Sequence, residues 1–122
     1  MAASNKLWVP DRRDMIWIDF NPQVGGETKD EHPMLVLSPR IFNERTGLVI
    51  GLPMTHAAFN ESNPFAVKFT TASGEICYVL AHQPKSFDWR KRGARPHAWK
   101  QLPTSIFDAA CAELNGIISI AD

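Results

Sequence analysis

Helical periodicity occurs in one stretch of this chain only, and that stretch comes last. Ile106, Ala110, Leu114 and Ile117 recur every three or four residues, with Phe107, Cys111 and Ile118 beside them. Pro103 suits the first turn, and Asn115-Gly116 is the expected stop. Upstream, the apolar runs are short and bounded by Pro, Gly, Asn and Ser, the punctuation of strands and turns. Met15 to Phe20 alternates, with Ile16, Ile18 and Phe20 on one face and Met15, Trp17 and Asp19 on the other, which predicts a strand with one buried face. Asn21 to Pro33 reads as a long mobile loop. Met34 to Leu37 reads as a second strand, stopped by Ser38-Pro39. Arg40 to Gly47 reads as a turn or short helix closed by its glycine. Leu48 to Met54, Phe65 to Phe69 and Ile76 to Ala81 supply three more strands. Many short strands and one terminal helix predict a mainly β protein with α: a small, mostly antiparallel barrel with a helix packed across it.

At 122 residues the chain is expected to be a single domain, 1–122, with residues 1–7 frayed. No signal-peptide core is visible, and no apolar run approaches the ~18 residues of a membrane span. A cytoplasmic protein with no membrane partner is expected. Cys77 and Cys111 are far apart and in no C-x-x-C arrangement, so they are expected to be reduced, buried thiols in strand and helix. Zero net charge argues against a general nucleic-acid coat. The distribution is less even: Lys85, Arg90, Lys91, Arg92, Arg95 and Lys100 face only Asp88 in that segment. Such a basic stripe can follow a phosphate backbone, or it can be a solvated loop.

Four blocks carry chemistry. They are Asp14-Met15-Ile16-Trp17-Ile18-Asp19-Phe20-Asn21-Pro22, then His32-Pro33-Met34-Leu35-Val36-Leu37-Ser38-Pro39, then Leu52-Pro53-Met54-Thr55, then Gln83-Pro84-Lys85-Ser86-Phe87-Asp88-Trp89-Arg90-Lys91-Arg92-Gly93. In this order and spacing they resemble the MazF/PemK family of toxin endoribonucleases, over about residues 8 to 120. The resemblance implies an SH3-like barrel and a metal-independent cut of single-stranded RNA, with mRNA as substrate. The nucleophile in such a cut is the RNA's own 2′-hydroxyl. A base must take its proton, donors must stabilise the phosphorane, and an acid must protonate the leaving 5′-oxygen. The resemblance also implies a homodimer, an antitoxin whose acidic tail fills the RNA groove, and no cofactor.

In that family an arginine and a threonine carry the chemistry. Thr55 matches the threonine. His32 stands where the arginine is usual, and Asp30-Glu31-His32-Pro33 replaces Gly-His-Arg-Pro. Arginine offers a permanent planar fork of donors for phosphate. An imidazole, with an unperturbed pKa of about 6.5, can act as base, acid or cation near neutrality. His32 either replaces the arginine functionally or merely fills its space. Asp30 or Glu31 could orient the ring. His56 and His82 fall near site positions, and a His32/His82 acid–base pair is conceivable. A metal site from His32, His56, His82 and Glu31 is conceivable too, but no helical i,i+4 spacing or Cys/His cluster supports one.

By the same resemblance Gln83 would read a base edge, with Lys85, Ser86, Arg90 and Arg92 as further RNA-binding residues. Glu27 would help shape the loop over the site. Trp89 would stack on a base or pack its loop, and Asn43 would hold the turn after Ser38-Pro39. Lys29 has no strong counterpart. Two other classes stay open: a weakened or inactive relative that binds RNA or an antitoxin without cutting, and a gyrase-directed toxin on the same fold.

Overall fold

The computed structural model describes residues 7–22 and 30–119. Seven strands, β1 (Asp14–Asp19), β2 (Glu31–Val36), β3 (Leu48–Thr55), β4 (Ala66–Thr70), β5 (Ile76–Leu80), β6 (Lys85–Asp88) and β7 (Arg95–Gln101), are joined by helices α1 (Arg40–Thr46) and α2 (Thr104–Ile118) and a 3-10 turn at Ala58–Ser62. Every strand pair is antiparallel. The order is β4-β5-β3-β2-β1-β7, with β6 also on β3. The sheet curls into a half-barrel that α2 covers.

β3 organises this sheet. Gly51 is paired on both sides, with Val36 of β2 and Lys85 of β6. β6 runs beside Leu48–Gly51 and β5 beside Met54–Thr55, along one edge. Residues 81–84, between β5 and β6, therefore interrupt that edge level with Leu52 and Pro53. A proline at that place has no N–H to offer a ladder.

The curl makes two apolar cores. Met15, Leu35, Leu52, Met54, Phe69, Cys77, Val79, Leu102, Ala110 and Leu114 fill the side under α2. Ile16, Ile18, Phe20, Met34, Val36, Val49 and Trp89 fill the other side, with Trp8 and Phe87 against them. The first strand is thus not buried on one face alone: Met15 is 1% exposed, because both sides of the curled sheet are covered there.

Several boundaries differ from the sequence reading. The second strand starts at Glu31, inside the expected loop. Pro33 is tolerated because β2 pairs with β3 only from Met34 onward. β6 and β7 were hidden by their basic residues and Pro96. On β7 only His97 is buried, so it has no alternation to read. Pro103 caps α2 rather than lying in its first turn, and Asn115-Gly116 lies within the helix, which ends at left-handed Ser119. Gly116 does not stop it because its backbone does not take the left-handed conformation, which falls at Ser119 instead. Arg40 to Gly47 is a helix closed by a left-handed glycine, as the sequence indicates. Cys77 and Cys111 are free thiols on strand and helix, but only Cys77 is buried and Cys111 is half-buried; burial pushes Cys77 up to about 11. The expected fraying of residues 1–7 falls, apart from Leu7, outside the described residues. Among the described residues no helix is long and apolar enough to cross a membrane.

Candidate functional site

Antiparallel pairing puts directly opposed residues on one face. His32 opposes Ile18. The β2–β3 pairing ends at Met34–Pro53, and His32 and Thr55 each lie two residues beyond that pair, so both share its face. Thr55 opposes Tyr78, and Tyr78 opposes Lys68. Ile18 with His32, and Thr55 with Tyr78 and Lys68, therefore lie on the face away from α2.

The His32 imidazole is half-buried and meets the Phe20 ring edge-on at 6.1 Å. Phe20 in turn meets Phe87 at 5.1 Å, and the Arg92 guanidinium lies 4.0 Å over Phe87. Lys85, two residues before Phe87 on β6, shares its face. Thr55 Oγ1 accepts the Ala57 N–H at 3.2 Å, which leaves the hydroxyl proton available to donate outward. Two cations, a hydroxyl and an imidazole, all partly exposed, thus lie on one face.

The chain around His32 is clamped from both sides. Asn21 Nδ2 donates to Asp30 Oδ1, and Asp30 N–H donates to Asn21 Oδ1. Arg92 Nη1 donates to the carbonyls of Asp19 and Asn21 at 3.0 and 2.6 Å. On the opposite face Arg95 pairs with Glu31 and its guanidinium lies 5.4 Å over Trp17. Neither acidic neighbour orients the His32 ring: alternation turns Glu31 to the other face, and Asp30 is spent on Asn21.

The remaining site candidates scatter. His56 follows Thr55 and so faces the α2 side, its Nδ1 2.8 Å from the Ile76 carbonyl and its ring 5.8 Å from Trp99. His82 lies in the 81–84 interruption against Phe65 and Gln83 rather than His32, so a His32/His82 pair has no geometric support. Gln83 is half-buried in the same interruption. Ser86 is exposed and opposes Ile50, on the face away from Lys85. Glu27 and Lys29 lie outside the described residues. Among the described residues no three His, Cys, Asp or Glu side chains come close enough to hold a metal ion.

The basic stripe is not continuous. Arg95 is paired, and Arg90 turns to the far end, donating to the Glu44 carbonyl at 3.1 Å and covering Trp89 at 4.8 Å. Trp89 is buried, its indole N–H donating to the Asn43 carbonyl at 2.8 Å, so its role is packing rather than base stacking. Asn43 is fully buried, joined to Ser38 Oγ, the Ser38 carbonyl and the Pro10 carbonyl. A cavity of about 570 Å³ lined by Trp8, Arg40, Glu44, Trp89 and Arg90 belongs to this end, not to the His32 face.

Sequence reasoning missed Tyr78, Glu61 and Lys68. Tyr78 is the chain's single tyrosine, placed in an otherwise apolar strand, and that was the available signal. Its hydroxyl donates to Glu61 Oε1 at 2.6 Å, and Lys68 Nζ lies 3.0 Å from the same oxygen. The tyrosine hydrogen bond, then Lys68, holds Glu61 below the usual carboxylate range, and Glu61 in turn raises Tyr78.

Comparison with known proteins agrees with this architecture. Residues 11–118 match the model of the PemK-like, MazF-like toxin of type II toxin-antitoxin systems. The chain is 39% identical to the endoribonuclease toxin MazF of Escherichia coli K12 over 87 residues, 71% of this chain and 76% of that protein. It is 26% identical to the endoribonuclease PemK of Escherichia coli over 88% of this chain and 81% of that one. The crystal structure of MazF from Deinococcus radiodurans superposes with a TM-score of 0.83 at 33% identity, covering 93% of this chain and 99% of that one. A MazE-MazF structure from the same organism gives 0.77 at 29%, with the same coverage. With its curled antiparallel sheet, covering helix and matching sequence, this chain belongs to the PemK-like, MazF-like toxin family.

Proposed function

We propose that this chain is a metal-independent endoribonuclease toxin that cuts single-stranded RNA on the face carrying His32 and Thr55. The placement of those two partly exposed residues on one face, together with Lys85 and Arg92, carries the reading. In the cut, the 2′-oxygen attacks phosphorus as its proton leaves, and the P–O5′ bond breaks as the 5′-oxygen gains a proton. The product ends are a 2′,3′-cyclic phosphate and a 5′-hydroxyl. His32 handles a proton or binds the phosphate, and Thr55 donates its hydroxyl to a non-bridging oxygen. Lys85 and Arg92 hold the neighbouring phosphates.

Its proposed partners are a cognate antitoxin, as in the MazE-MazF relatives, and a second copy of the chain, in the cytoplasm. The test is single-stranded RNA with purified protein in EDTA from pH 5 to 8. Cleavage that His32→Ala abolishes and His56→Ala spares supports the reading. Tight binding with no cleavage at any pH replaces it with that of a non-cutting binder, and DNA breaks formed only with gyrase replace it with the third class.

A further inference from the structure

The face that carries Thr55 continues beyond it. Its direct neighbour Tyr78 and the next strand's Lys68 share that face, and Glu61 reaches over from the 3-10 turn to join both. Two strand spacings, about 10 Å, separate the Thr55 and Lys68 backbones. Any RNA phosphate seated between His32 and Thr55 therefore has this cluster beside it, within reach of the adjacent nucleotide.

The cluster is built for an edge rather than a charge. Glu61 Oε1 accepts the tyrosine hydroxyl at 2.6 Å and lies 3.0 Å from Lys68 Nζ as an ion pair, whereas Oε2 accepts a Lys68 N–H at 3.2 Å. A carboxylate oxygen has two acceptor sites, and an ammonium three donors. An acceptor site on Oε2 and N–H donors on Lys68 remain beside one another. Both side chains are about half exposed, Lys68 at 47% and Glu61 at 61%. Tyr78 is buried beneath them and fixes the carboxylate.

We propose that Glu61 and Lys68, positioned by Tyr78, form a base-reading subsite that prefers cytosine, adenine or guanine over uracil at a nucleotide next to the cut. This inference rests on the RNA reading above. In cytosine and adenine an exocyclic amino group sits beside a ring-nitrogen acceptor. Guanine places N1–H beside O6 and adds N2–H₂. Uracil offers one ring N–H between two carbonyls: Lys68 can donate to one of them, but the other is left against the carboxylate, where guanine presents N2–H₂. A side chain that accepts from an exocyclic amine is a known mode of base discrimination.

The experiment uses a randomised single-stranded RNA pool, read both as cut ends with the wild-type sequence and as bound RNA with His32→Ala. Uracil is expected to be depleted at one fixed position, and Glu61→Gln, whose amide both donates and accepts, to restore it by roughly five- to tenfold. Tyr78→Phe, which keeps the ring and frees the carboxylate, is expected to weaken the depletion partly. The same base distribution in all three proteins overturns the subsite. Failure of the nuclease reading shows separately, as an uncut pool, while the bound fraction still reports on Glu61.

Discussion

His97 is enclosed by aromatic rings: Trp17 stacks on it at 4.6 Å and Trp99 lies at 4.0 Å. The Trp99 backbone N–H donates to its Nδ1 at 3.1 Å, so the neutral ring carries its proton on Nε2. Burial, then the charge of Arg95, holds its pKa below the ordinary 6.5; Glu75 opposes this and His56 adds to it. The unfolded chain thus binds the proton more readily than the folded one. This contribution to stability is complete above pH 6.5 and is lost as pH falls through that value toward the folded pKa. Thermal melts are expected to show a lower midpoint at pH 5 than at pH 7.5, and His97→Phe, which keeps a ring in the stack, a smaller drop between the two. An identical drop in both proteins contradicts the assignment. Of the candidate site residues, His32 and Thr55 were legible in the sequence because they sit in short, ordered motifs. Their orientation relative to Glu31 was not, since adjacent residues of a strand face opposite ways and the loop reading hid the strand.

At the scale of elements, β3 depends on a glycine for contact rather than for a turn. A Cβ at Gly51 would lie 2.3 Å from the Leu35 carbonyl oxygen and 3.0 Å from the Met34 side chain. Gly51→Ala is expected to destabilise the fold by about 1–3 kcal/mol, measured by urea unfolding, and to lower cleavage through the displaced β2–β3 register. Unchanged stability contradicts the close approach. Asn43→Ala, which orphans buried groups on Ser38 and Pro10, is expected to cost about 1–3 kcal/mol in the same assay; a midpoint equal to the parent's contradicts it. The strands with clean apolar runs were readable from spacing. β6 and β7 were not, because their place in the sheet comes from pairing with β3 and β1 and not from a buried face of their own.

Over the whole molecule, charge is arranged by folding rather than by sequence order. Consecutive basic residues part company: Arg92 joins the His32 face, Arg95 pairs with Glu31, and Arg90 turns to α1. Lys85→Ala and Arg92→Ala are each expected to weaken RNA binding and to reduce the salt slope by about 0.7, while Arg90→Ala leaves the slope nearly intact. Equal effects from all three contradict the split. The one-helix, many-strand pattern made the fold class legible, but the grouping of cations needed the third dimension.

The proposed reaction turns on the His32 imidazole handling protons or charge on the face it shares with Thr55. The decisive measurement is the rate of single-stranded RNA cleavage in EDTA between pH 5 and 8, with the wild-type sequence and with His32→Arg. The wild-type rate is expected to change across this range, and the arginine variant to cut without that dependence. Superimposable pH profiles would show that His32 takes no part in the reaction.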